Sequence, residues 1–64
     1  MASDPEAMRV RADYLRIRAT TLRASLGRYT VKAIRQEIVQ LAQEYDMMAD
    51  QLERLADSQE RLRR

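Results

Sequence analysis

The chain has 64 residues, with twelve Lys and Arg against ten Asp and Glu, a net charge of +2, and neither His nor Cys. This composition excludes disulfide scaffolds, zinc ribbons, thiol chemistry and every mechanism that needs an imidazole. The length accommodates one small domain, residues 1–64, and no apolar run approaches the ~18 residues that a membrane span requires. The acidic start Met1-Ala2-Ser3-Asp4-Pro5-Glu6 has no hydrophobic stretch behind it and does not read as a secretory signal. A cytoplasmic protein is therefore expected. Eleven of the twelve basic residues are Arg, a bias typical of GC-rich bacterial genomes.

In chain order, the first signal is Asp4-Pro5, an N-cap followed by a proline at the first helical position, where its missing N–H costs nothing. Ser3 with Glu6 three residues on is the competing capping box. Apolar or small residues follow at Met8, Ala12, Leu15, Ala19, Leu22 and Leu26, stepping by four and three. Gly27 stands where a left-handed residue would end a helix, and Thr30 is the candidate N-cap of the next. The spacing predicts helix 1 over about 5–26.

The second segment is more regular. Val31, Ile34, Ile38, Leu41, Tyr45, Met48, Leu52, Leu55, Gln59 and Leu62 form an a/d heptad seam with Val31 as position a, interrupted only by Gln59. It predicts helix 2 over about 31–62, without a Gly or Pro after Thr30; residues 1–3 and 63–64 are expected to fray. The fold class is all-α, a two-helix antiparallel hairpin with a coiled-coil-like seam. Closing it at the turn places Leu26 opposite Val31, Leu15 near Leu41, Met8 near Met48, and Asp4 and Pro5 near Leu52. Helix 2 beyond Leu52 would then lack an intrachain partner.

A chain this short seldom stabilises itself on one core without a disulfide or metal. Val10, Tyr14 and Ile17 form a second apolar stripe on helix 1, and Leu55, Ala56 and Leu62 continue the seam past its partner. Ala42, Ala49 and Ala56 recur every seven residues beside the seam, where small side chains allow close approach of a helix or simply serve helix propensity. Two hairpins associating into a four-helix bundle would satisfy these faces. The interface is expected to draw on Val10, Tyr14, Ile17, Ala42, Tyr45, Ala49, Leu52, Leu55, Ala56 and Leu62, with Tyr14 and Tyr45 either as interface amphipaths or as ordinary core.

Charge divides the chain. Residues 1–29 carry six Arg against three acids, and residues 36–60 carry seven acids against Arg54 alone. The hairpin register above brings Arg18 near Glu37 and Arg11 near Glu44, and leaves Arg23 beside Arg35 with no acid between them. Asp46, Asp50, Glu53, Asp57 and Glu60 form an acidic stripe open to three readings: a solvated face, a dock for a basic partner including helix 1 of another subunit, or a cation site. The last is disfavoured because one straight helix splays its carboxylates. Arg9, Arg16, Arg23, Arg35 and this stripe make up the charged partner surface. The arginines of helix 1 also invite a nucleic-acid reading, but Arg9, Arg16 and Arg23 at e and Arg11 and Arg18 at g normally snorkel over a core edge, and the tyrosines are too few for a stacking platform.

Ser3, Ser25 and Ser58 have no base near them and no Gly-rich loop is present, so neither a catalytic function nor a cofactor or metal is expected. The stretch Tyr14-x4-Ala19-x2-Leu22-Arg23, with Ile38-x2-Leu41-Ala42-x2-Tyr45-Asp46-x2-Ala49 downstream, resembles a class of small alphaproteobacterial proteins that pair a Y-x4-A-x2-L-R helix with an L-x-x-L-A-x-x-Y-x-x-L-A helix; Met48 stands where that pattern usually has Leu. The resemblance implies a bacterial helical hairpin and assigns no ligand residues. The functional expectation is a small non-catalytic interaction module that binds a second copy of itself, with another protein as a further partner; the alternative is a nucleic-acid-associated regulator using the Arg-rich first helix.

Overall fold

A computed structural model describes residues 4–63. Two helices, α1 (Pro5–Ala24) and α2 (Lys32–Leu62), pack antiparallel, joined by a 3-10 turn over Ser25–Arg28 and an extended Tyr29–Val31. The start of α1 is as expected: Asp4 is the N-cap, its carboxylate accepts the Glu6 N–H at 3.0 Å, and Pro5 occupies the first turn. The competing cap through Ser3 falls outside the described residues, as does the fraying expected of residues 1–3 and 64.

The turn departs from expectation in three respects. α1 gives way to 3-10 geometry at Ser25, where the Ser25 hydroxyl donates to the Leu22 carbonyl at 2.6 Å. Gly27 lies inside that 3-10 segment and has no positive φ, so it is not a left-handed helix terminator. Val31, not Thr30, occupies the N-cap of α2, without a side-chain cap bond. In place of a cap, Arg35 reaches back: its Nη1 donates to the carbonyls of Leu26 at 2.5 Å and Tyr29 at 2.9 Å, tying the turn to the first coil of α2.

The core is small and built of alanine. Ala12, Ala19, Ala42, Ala49 and Ala56 have no exposed surface, Leu15 and Pro5 are buried beside them, and among the described residues no large side chain is fully enclosed. Ala12, Leu15 and Ala49 form one cluster, flanked by half-buried Tyr45 and Leu52. Steps of seven along both helices then set Ala19 level with Ala42 and Pro5 level with Ala56. This register lies one helical turn beyond the expected one, in which Pro5 met Leu52. The end of α2 is therefore not partnerless: Ala56 is covered by α1, and the unpartnered length starts only beyond about Glu60.

Position e of α2 faces α1 (Ala42, Ala49, Ala56), with position a beside it (Ile38, Tyr45, Leu52, Gln59, all half-buried). Position d turns outward: Ile34, Leu41, Met48 and Leu55 are each at least 40% exposed and Leu62 is 84% exposed. Relative to an a/d seam, α2 is rotated by roughly 50°, half of the ~100° between successive residues. Alanine on both sides is the physical reason, since two rows of methyl groups let backbones approach toward the lower end of the ~8–10 Å range and gain dispersion contacts along the whole seam. The result is a rod. Its Cα extents are 51 × 18 × 14 Å, and its radius of gyration of 14.9 Å exceeds the ~11 Å of a compact domain of this length.

Candidate functional site

Rotation of α2 decides what each flank of the rod carries. On one flank, position b of α2 swings toward α1, bringing Asp46, Glu53 and Glu60 within reach of the arginines at position e of α1. Arg16 is the hub, with Asp50 at 2.6 Å, Asp46 at 3.7 Å and Glu53 in direct contact. Arg23 pairs with Asp46 at 2.7 Å, and Arg9 with Asp57 at 2.6 Å and with Glu60. Hydrogen bonding to Glu60 and then Asp57 raises the affinity of Arg9 for its proton, and Glu53 and then Asp50 do the same for Arg16. A raised arginine pKa contributes stability below the group's ordinary value and loses it only above, so both guanidinium groups stay charged wherever the chain is folded.

Arg9, Arg16 and Arg23 thus pair within the chain with all five carboxylates of the stripe from Asp46 to Glu60, which outnumber them. Every carboxylate of the stripe has an arginine partner in its own chain, and the paired side chains remain partly exposed. The expected clash of Arg23 with Arg35 does not arise either: Arg23 is held by Asp46 and Arg35 by the turn carbonyls. The pairs expected from the shorter register, Arg18 with Glu37 and Arg11 with Glu44, are absent among the described residues, because rotation carries position g of α2 away from α1. No group of three or more Asp or Glu among these residues could hold a metal ion, and no helix is long and apolar enough to cross a membrane.

The opposite flank is apolar and open. Tyr14 and Leu15 of α1 and Tyr45, Met48, Leu52 and Leu55 of α2 line a groove of about 440 Å³, bordered by Arg11 and Arg18 on one rim and Gln51 on the other. Tyr14 is 57% exposed and Leu55 52%, and Ile34 and Leu41 prolong the same stripe toward the turn. A larger hollow near the turn, about 700 Å³, is bordered chiefly by Lys32, Arg35 and glutamines, with Leu26 and Val39 its only large apolar groups. Apolar continuity therefore favours the smaller groove.

The interface residues expected from the sequence separate into four places. Tyr14, Tyr45, Leu52 and Leu55 come together on the groove. Ala42, Ala49 and Ala56 are covered by the chain's own α1 and have no surface left for a second copy. Val10 and Ile17 are exposed on the back of α1, away from the seam, and Leu62 projects at the end of α2. Sequence reasoning missed Met48, Arg11, Arg18 and Gln51 as groove residues. The signal was present in the matching sevens, Pro5-Ala12-Ala19 against Ala42-Ala49-Ala56, which together define a small-residue seam and so push position d outward. Comparison with protein-family models, with curated proteins and with solved structures finds no match.

Proposed function

We propose that the chain is a non-catalytic protein–protein interaction module that self-associates through its apolar flank. The observation that carries this reading is the continuous exposed row Ile34, Leu41, Met48 and Leu55 beside Tyr14, on a molecule whose own core is one Leu, one Pro and five alanines. Such a core buries little apolar surface for its length, and a chain below ~70–80 residues ordinarily needs a further source of stability. Apolar rows bordered by charged rims are the usual form of an assembly surface. The charged flank supports the same reading, since each of its carboxylates already has an arginine partner within the chain, whereas the apolar row has no cover there.

Sedimentation equilibrium at micromolar concentration tests the proposal. A mass of twice the 7.5 kDa of one chain is the expected result. A single 7.5 kDa species that remains fully helical on dilution would remove the need for a partner and the proposal with it.

A further inference from the structure

The groove side is not only apolar; its two rims carry opposite charge. Arg11 and Arg18 of α1 border one edge. Along the other edge, Gln51 lines the groove, and Glu44 and Glu37 follow one and two heptads closer to the turn. All four charged residues are exposed, and none has an ion-pair partner among the described residues. A surface with a basic edge, an apolar floor and an acidic edge is complementary to itself in only one of the two simple face-to-face arrangements. If the two-fold axis lies across the rod, α1 covers α1 and the arginine edges oppose each other. If it lies along the rod, α1 of each copy covers α2 of the other, and each basic edge meets an acidic one.

The second arrangement also keeps levels. Ala19 and Ala42 share a height along the rod, so Arg18 stands beside Gln43 and Glu44, and Tyr14 beside Met47 and Met48. A two-fold axis along the rod preserves those heights between copies. It sets Arg18 against Glu44 of the second copy, twice per dimer, and lays the Tyr14 ring on Met48 of the second copy, a favourable sulfur–aromatic contact. The side available is 51 Å long and at least 14 Å wide by Cα positions, comparable with the ~800 Å² per partner that a stable interface buries. The geometry points to a parallel-axis homodimer: a second copy of this chain seats on the Tyr14–Met48–Leu55 groove with α1 over α2, both turns at the same end, and Arg18–Glu44 pairs fixing the orientation.

This assignment rests on the self-association proposed above, and its test separates the two. Arg18→Glu and Glu44→Arg are made singly, combined in one chain, and mixed as equimolar single variants; each is checked for helicity by circular dichroism and for dimer affinity by sedimentation equilibrium. Neither residue takes part in the seam or its ion pairs, so the hairpin is expected to survive. Each single variant sets like charges against each other at two symmetric places and is expected to weaken the dimer about tenfold. The combined variant and the equimolar mixture are expected to restore wild-type affinity, because position 18 of each chain then faces the opposite charge at position 44 of the other. A single Arg18→Glu variant that dimerises as tightly as wild type or more tightly, or a mixture that is not rescued, overturns this orientation while leaving self-association standing. A wild-type chain that is monomeric throughout overturns both.

Discussion

The two flanks of the rod are built from the same kinds of residue to opposite ends. On the charged flank, Arg9, Arg16 and Arg23 step by seven along α1 and find carboxylates stepping by three and four along α2, so each of these side chains has a partner inside the chain, three guanidinium groups for five carboxylates. On the groove flank, Arg11 and Arg18 also step by seven, yet the glutamates that could answer them lie across an apolar floor. Tyr14, Met48 and Leu55 stay in water between them. One flank is paired by folding and the other is left open. The contrast arises from a single choice, burial of position e rather than position d of α2, and it shows how a row of alanines can direct leucines to the surface.

Neighbouring residues 48 and 49 make that contrast testable, because they belong to different sides. The largest effect is expected from Ala49→Leu. The methyl of Ala49 has no exposed surface and abuts Ala12 and Leu15, so a larger side chain pushes the helices apart, costing about 1–3 kcal/mol. A lowered denaturation midpoint followed by circular dichroism would show it; an unchanged midpoint would mean that the alanine rows do not set the helix spacing. Next is Met48→Glu, which places a carboxylate on the groove floor. Its expected effect is a dimer dissociation constant raised at least about tenfold, equivalent to ~1.4 kcal/mol, read by sedimentation.

Smaller effects sharpen the charged side. The ion pairs are exposed, and salt screens such pairs within about 10 Å at 0.1 M. Salt is therefore one lever that reaches the pairs of Arg9 and Arg16 without changing their protonation. Wild-type stability is expected to fall modestly as sodium chloride rises from about 50 mM to about 500 mM, and a chain with Arg9, Arg16 and Arg23 replaced by Gln is expected to show a flatter dependence in the same titration. Retention on duplex DNA at ~50 mM salt is expected to be negligible, since three of the six helix-1-side arginines are held by carboxylates; strong, salt-sensitive retention would revive the nucleic-acid alternative. The smallest change is expected from Gly27→Ala. It touches neither flank, meets nothing within 4 Å and needs no positive φ, so it should stabilise the fold by about 0.4–1 kcal/mol through the unfolded chain.

Much of this architecture can be read directly from the residues. Asp4-Pro5 announces the start of α1, the three-and-four spacing of apolar residues announces both helices, and one Gly between them announces the hairpin. The seam itself is harder to read. Leu41, Met48 and Leu55 at position d carry the stronger hydrophobic signal, whereas Ala42, Ala49 and Ala56 one residue later are equally well explained by helix propensity. Hydrophobicity alone therefore selects the wrong face by about half a residue of rotation, and the other differences follow from it. A d-centred seam brings Glu37 and Glu44 to Arg18 and Arg11 and leaves Arg23 facing Arg35. An e-centred seam brings Asp46, Asp50, Glu53, Asp57 and Glu60 to Arg9, Arg16 and Arg23. The one-turn shift in register has a local cause as well: the 3-10 segment and the extended Tyr29–Val31, clamped by Arg35, make a longer connection than the glycine-ended turn that Gly27 suggests.

If the chain self-associates as proposed, folding and assembly use different sides of the same rod. Sedimentation equilibrium of Met48→Glu beside wild type, at matched micromolar concentration, addresses it most directly. Twice the 7.5 kDa chain mass is expected for the wild type and a shift toward the single chain for the variant. Equal masses for the two proteins, whether both paired or both single, would contradict it.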